Sequence, residues 1–458
     1  MASPFVPVDR ATPYLLPPSL DEWLPEDHLA RFVVEIVEQL DLSRLEAAYA
    51  GRGSKAYHPA MLLALLFYGY ATGVFSSRRL EAATYDSIAF RYVAANQHPD
   101  HDTIATFRRR FLSELEALFV QILVLAAEMG LLKVGTVSLD GTKVKANASK
   151  HTALSWEHAC KLEAQLQAEV EALLHLADQA DEDEASQGLD IPEELARREA
   201  RLAAIAQAKA KIEARAAERY AREKADYEEK MQQRKAKEAV TGKKPPGRKP
   251  KAPEPGPKAK DQVNLTDDES RIMPTSGGGF EQAYNAQATV DQESLLIVGQ
   301  HVSQAPNDKQ ELEPALEELD KVPEEAGQVE TVVADNGFFS ESNVKAVEDR
   351  AMVPLVALGR ERHNVPLFER LAAAPDGPPL AEAATAVERM AQRLQSQEGK
   401  AVYARRKCTV EPVFGIIKSV LGFRQFLLRG LEQVQGEWTL VSSAWNLKRM
   451  ARLHLMSA

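Results

Sequence analysis

Three carboxylates carry the strongest chemical signal in the chain. Asp140 follows the β-branched run Val134-Gly135-Thr136-Val137-Ser138-Leu139 and precedes Gly141; Asp335 follows Val329-Glu330-Thr331-Val332-Val333-Ala334. Glu411 precedes Pro412 in a segment that continues with helical spacing through Phe414, Ile417 and Val420. The first two are read as closing hydrophobic strands. The third is read as lying in the first turn of a helix, where proline is tolerated. Each alone is an ordinary turn former or cap. Three acids converging from separate elements make an oxygen-rich set suited to hard divalent cations. Two such ions can activate a water for in-line attack on a phosphodiester and stabilise the leaving oxygen.

Other residue types offer less. Cys160 and Cys408 are the only cysteines, which excludes a disulfide framework and a thiolate zinc site. His58, His98, His101 and His301 lack ligand spacing. Ser76-Ser77 and Ser442-Ser443 lack the strand-turn-helix setting of a nucleophile elbow. Trp438 and Trp445 share helical spacing with Leu440, Val441 and Leu447 and are read as core rather than as platforms for flipped bases. The formal charge of −11 argues against nucleic-acid binding as an average, yet charge is segregated: from Lys400 onward ten Lys or Arg stand against three Glu, while Asp178 to Glu194 is acidic. A basic face on an acidic protein is therefore permitted.

The elements that must position the acids follow from periodicity. With 458 residues and 45 % hydrophobic content, the chain has room for about two or three domains. After a tail (1–20), residues 21–132 read as a helical DNA-binding domain, with apolar spacings of three and four through Phe32, Val33, Ile36, Val37 and Leu40, and through Leu62, Leu65 and Leu66. Asp100 or Asp102 caps its last clear helix, which carries Arg108, Arg109 and Arg110 and resembles the recognition helix of a helix-turn-helix; a solvated helix face is the bland alternative. Residues 156–240 read as two long helices joined at Asp181 to Pro192, a coiled-coil hairpin. Residues 241–261 read as an extended, basic, poorly ordered Pro/Gly/Lys linker, its GRKP only faintly like a minor-groove hook. Strand-like segments at Gln282–Val290, Ser294–Val302 and Met352–Leu358, with a helix at Ser342–Arg350, describe an α/β domain over 133–155 and 262–458. Gly277-Gly278-Gly279 is read as a flexible re-entry with a turn into Tyr284-Asn285-Ala286-Gln287. No apolar block approaches the roughly 20 residues that span a bilayer, and MASPFVPVDR has no signal-peptide pattern, so a soluble cytoplasmic protein is expected.

The strings VSLDGTKVKAN around Asp140, VVADNGFFS around Asp335, and YARRKCTVEPVFGIIK from Tyr403 to Lys418 resemble the three catalytic blocks of bacterial insertion-sequence transposases of the DDE class, in the branch with a Tyr-Arg-Glu-Lys signature. The segment from Tyr57-His58-Pro59 to Tyr68-Gly69-Tyr70, followed by Ser76-Ser77-Arg78-Arg79-Leu80-Glu81, is similar to the helical domain that precedes their catalytic core. The resemblance implies a ribonuclease H-like mixed sheet with flanking helices, interrupted by the helical hairpin as an insertion, which would account for the long interval between Asp140 and Asp335. It implies that Asp140, Asp335 and Glu411 bind two Mg²⁺ or Mn²⁺ ions, and that Tyr403, Arg406 and Lys418 hold DNA. Four residues separate Arg406 from Glu411 where the signature has three, a spacing that Lys407 meets, so either cation can fill that place. Lys418 lies seven positions after Glu411, two helical turns along the same face. The implied activity is cleavage at the inverted-repeat ends of the element and joining to target DNA, by a homodimer on DNA in the bacterial cytoplasm at the nucleoid, with no membrane partner. A transposase-derived DNA-binding scaffold without chemistry and a ribonuclease H-like nuclease or resolvase are the alternatives.

Overall fold

A computed structural model describes residues 19–49, 56–180, 191–242, 247–275, 278–359 and 384–457. The chain forms two compact units, residues 1–145 with 284–458, and residues 146–283. In chain order the helices are α1 Leu29–Gln39, α2 Ser43–Ala47, α3 Pro59–Thr72, α4 Ser77–Asp86, α5 Ile88–Val93, α6 His101–Arg110, α7 Leu115–Glu128, α8 Trp156–Ala180, α9 Ile191–Thr241, α10 Leu312–Leu319, α11 Glu341–Asp349, α12 Ala386–Gln395, α13 Gln397–Ala404, α14 Val410–Gly415 and α15 Leu431–Ser457. The strands are β1 Val134–Lys145, β2 Ala153–Ser155, β3 Gln262–Asn264, β4 Arg271–Pro274, β5 Phe280–Asp291, β6 Ile297–Ser303, β7 Gly327–Ala334 and β8 Val353–Val356.

The first unit holds a mixed sheet in the order β6-β5-β1-β7-β8, with β1, β7 and β8 parallel and β5 antiparallel to β6. Its N-terminal region is all helical. In α3, Pro59 opens the first turn, the His58 ring accepts the Ala60 N–H, and Gly73 takes the left-handed conformation (φ +84°) that ends the helix. The helix is buried around nearly its whole circumference, Leu62 through Ala71, so it serves as a core element. The long helix α15 packs against α3, α7 and β6. Its side chains satisfy the outer edge of β6. Asn446 accepts the Ile297 N–H and donates to the Ile297 carbonyl, both at 2.8 Å, and Gln435 accepts the Val302 N–H at 2.6 Å. The edge is thereby closed to strand addition. Trp438 and Trp445 are core residues as expected, with their indole N–H groups donated to the Gln287 and Leu295 carbonyls.

The register of β1 on β7 ends with Leu139 opposite Ala334, so Asp140 and Asp335 emerge side by side. Here one expectation is corrected: Asp140 does not close its strand. β7 turns off at Asp335 into a 3-10 turn at Asn336–Phe338, while β1 runs on to Lys145, whose backbone pairs with Arg424 and Phe426.

In the second unit, α8 and α9 are antiparallel, tied by Lys209 to Glu163 (2.6 Å) and Arg198 to Glu169 (2.9 Å) over a core of Leu166, Ile205, Ala208 and Ile212. The expected joint at Asp181 to Pro192 lies almost wholly outside the described residues. The proline-rich stretch is extended, as its composition requires, but not loose: Arg234 donates to the Gly247 carbonyl, and Arg219 to the Gly256 carbonyl and Asp261, which fastens residues 247–261 along α9. Residues 243–246 are outside the described set. Among the described residues no single helix is long and apolar enough to cross a membrane.

A buried polar network joins the N-terminal helices to α15. Glu437, fully buried, accepts the Tyr70 hydroxyl at 3.1 Å and the Leu427 and Leu428 N–H groups. Arg108 donates to the Tyr70 oxygen at 2.9 Å and to the Phe75 carbonyl. Arg108, expected on a DNA-facing surface, is thus an internal countercharge. Burial pushes the Glu437 carboxyl up, opposed first by the charge of Arg108 and then by the hydrogen bonds from Leu428, Leu427 and Tyr70. Removing one member of such a group is expected to be strongly destabilising: Arg108→Leu should cost about 3 kcal/mol, while exposed Arg109→Leu should stay within about 0.5 kcal/mol of the parent. Thermal unfolding of the two variants checks this.

Candidate active site

Asp140 and Asp335 share one end of the sheet because parallel pairing aligns the strands that carry them. The Asp140 side chain is 20 % exposed and accepts the Gly141 N–H. Its carboxyl is pushed up to about 6, first by burial and then by the charge of Asp335, against a smaller lowering by Arg406. Asp335 is half-buried and caps its own turn, accepting the Gly337 N–H at 2.7 Å. A Cβ at position 337 would sit 2.9 Å from the Asp335 Oδ1.

Glu411 lies in the first turn of α14, as expected, with its side chain 53 % exposed. Arg406, buried in the turn Arg405–Cys408, reaches both acids: Nη1 is 3.3 Å from the Asp140 Oδ2, and Nη2 is 3.7 Å from the Glu411 Oε1. Lys407 is exposed. Of the two cations the sequence left open, Arg406 is the one that meets the carboxylates. The helix does not continue as α beyond Gly415. Ile416–Val420 forms a π turn, with the Leu421 N–H bonded to the Ile416 carbonyl. The simple two-turn spacing from Glu411 to Lys418 is therefore interrupted. Lys418 instead donates to the Thr142 hydroxyl and the Lys143 carbonyl, both at 2.6 Å, so it docks on β1 just past Asp140. Burial, with help from Lys143, lowers the Lys418 ammonium to about 8.

Other expected residues are not gathered here. Tyr403 is half-buried near the end of α13, and its neighbour Arg405 pairs with Glu293 at 2.5 Å. The arginine run of α6 is divided three ways. Arg108 is internal, Arg109 is exposed, and Arg110 donates to the Ala48 carbonyl and lies over the Tyr49 ring. Asp100 is the cap of that helix, accepting the Thr103 N–H.

Sequence reasoning missed a group beside Asp140. Asp308, in the turn before α10, accepts from Asn285 and Gln287 at 2.7 Å each and from Lys143 at 3.3 Å. Asn285 and Gln287 lie inside β5, within the segment expected as a strand, and are fully buried. The available signal was two amides at alternate positions of the strand. A Cβ on Gly141 would collide with the Gln287 amide and lie 2.6 Å from the Asp308 Oδ1. Only glycine fits after Asp140.

Among the described residues no three acid, histidine or cysteine side chains stand close enough to hold a cation as they are. The guanidinium of Arg406 lies between Asp140 and Glu411, and Asp335 is turned onto its own backbone. The donor chemistry nevertheless fits a hard divalent ion, since all three are carboxylates.

Residues 18–110 match the family described as Transposase domain (DUF772), and residues 250–447 match the Transposase DDE domain family. The second match contains Asp335 and Glu411 but begins after Asp140. The pairing of β1 with β7 adds that residue. No curated protein and no solved structure matches the chain.

The displaced pKa of Asp140 has a thermodynamic sign. It stands above the value of about 3.9 for an unfolded aspartate, so the folded chain binds more protons between the two. Stability is expected to fall as pH rises from about 4 to about 6 and to stay reduced above, by at most about 3 kcal/mol. Asp140→Asn removes this slope. Denaturant unfolding of metal-free parent and variant from pH 4 to 8 should show the variant gaining relative stability with pH; a difference flat in pH contradicts the assignment.

Proposed function

We propose that this chain, which belongs to the insertion-sequence transposases that join a DUF772 transposase domain to a transposase DDE domain, binds the inverted-repeat ends of its own element, cuts a strand at each and joins the freed 3′ end to target DNA. The observation that carries the reading is the register of β1 on β7, which sets Asp140 beside Asp335, together with the Arg406 bridge from Asp140 to Glu411. The strand order β6-β5-β1-β7-β8, with β5 antiparallel to β6, supports a ribonuclease H-like core. In that core, the unit formed by 146–283 is an insertion between β1 and the rest of the sheet.

Asp140, Asp335 and Glu411 would hold two Mg²⁺ or Mn²⁺ ions, which when bound supply an activated attacking oxygen and a stabilised leaving oxygen. The chain's own residues supply charge and position. Arg406 holds the acids' charge before ions arrive, and its fork of donors suits a DNA phosphate once that charge is met. Lys418 stays mostly protonated at neutral pH, even half-stripped of water, so a phosphate oxygen would meet a cation with little hydration left to lose. Tyr403, Lys407 and Arg109 are assigned to the DNA path, and two copies of the chain to the two ends.

The test is cleavage of a labelled end fragment in Mg²⁺ or Mn²⁺. Asp335→Asn is expected to lose strand cleavage by more than the roughly 100-fold that loss of a supporting residue costs, while still shifting the end fragment in a gel. Undiminished cleavage contradicts the proposal. Binding without metal-dependent nicking by the parent would make the chain a DNA-binding scaffold instead.

A further inference from the structure

The turn before α10 brings a fourth carboxylate to this site. The three donors to Asp308, from Asn285, Gln287 and Lys143, all converge on Oδ1, and the side chain is 24 % exposed. A Cβ on residue 141, the residue after Asp140, would lie 2.6 Å from this Oδ1. A carboxylate held on one oxygen by three donors has its other oxygen available, and a single orientation.

A second feature points to a ligand. Asn285 and Gln287 are fully buried, and while their amide nitrogens reach Asp308, their carbonyl oxygens have no hydrogen-bond partner among the described residues. Buried acceptors without donors are unfavourable and uncommon. Two of them at one carboxylate, one residue from a second carboxylate, make a cluster of oxygens short of positive charge. Lys143, at 3.3 Å, is the one cation that pairs with Asp308 among the described residues.

We propose that Asp308 is a positioning residue for the divalent cation at Asp140, seated by Asn285, Gln287 and Lys143 so that its charge adds to the attraction for the ion and its contact with Gly141 fixes the strand that presents Asp140. This rests on the cation-binding reading of Asp140, Asp335 and Glu411.

Mn²⁺ titration of the full chain without DNA, followed by electron paramagnetic resonance, separates the possibilities. Asp308→Asn keeps the shape and the Oδ1 acceptor but removes the charge. It is expected to weaken Mn²⁺ binding by about 10- to 100-fold, with an unfolding midpoint in chelator no lower than the parent's. Asp308→Glu, which keeps the charge, is expected to recover part of the affinity. Parent-like binding by Asp308→Asn overturns the proposal, as does equal loss in both variants, which would assign Asp308 to packing alone. Asp335→Asn serves as the reference. If it binds Mn²⁺ like the parent, the cation-binding reading itself fails, whereas parent-like binding by Asp308→Asn alone removes only Asp308.

Discussion

Two carboxylates on neighbouring parallel strands repel each other, and most of the site is arranged around that repulsion. Once Leu139 stands opposite Ala334, the fold has no means of separating Asp140 from Asp335. Burial at the strand end makes matters worse, because the charge of Asp140 is poorly screened there. Arg406 supplies the countercharge. It reaches Asp140 from a turn placed just ahead of α14, and the same guanidinium meets Glu411. One side chain thereby links two acids that are remote from each other in sequence.

That arrangement needs a rigid support. β1 is held on both sides within the sheet and continues past Asp140 to pair with the segment that follows the π turn. The same segment delivers Leu427 and Leu428 to Glu437, and so to Tyr70 and Arg108 in the N-terminal helices. The helical region is therefore part of the frame of the site rather than a separate appendage. Buried charge networks of this sort are weak sources of net stability but costly to break.

Much of this was legible in the sequence because it depends on local pattern. The strand at β7 ending in Asp335, the capped helix after Asp100, the Pro412 helix start and the two long helices of the second unit all follow from periodicity and caps. What was not legible depends on tertiary partners. Asp140 looked like a strand end because Gly141 follows it; in fact glycine is demanded by Asp308 and Gln287 pressing on the strand, and β1 continues. Arg406 and Lys407 differ by one position, and only the turn between α13 and α14 decides which is turned inward. The arginine triplet of α6 read as a surface cluster, since nothing local reports that Tyr70 and Glu437 await one of its members. Asp308 stood in an ordinary polar turn, and its significance comes from two amides on β5, far enough away in sequence that no spacing rule connects them. The proline-rich stretch had the composition of a loose linker, yet arginines of α9 supplied partners for its carbonyls.

On the proposed reading, Arg406 supplies positive charge that bound divalent ions would otherwise bring to these acids. The direct measurement is diffraction from crystals of the protein grown in saturating Mn²⁺, with anomalous scattering used to place the metal. Manganese bonded to Asp140 and Asp335, with the Arg406 guanidinium withdrawn from Asp140, is the expected result. Crystals in which Arg406 still pairs with Asp140 and no manganese lies between the two strand ends would contradict it.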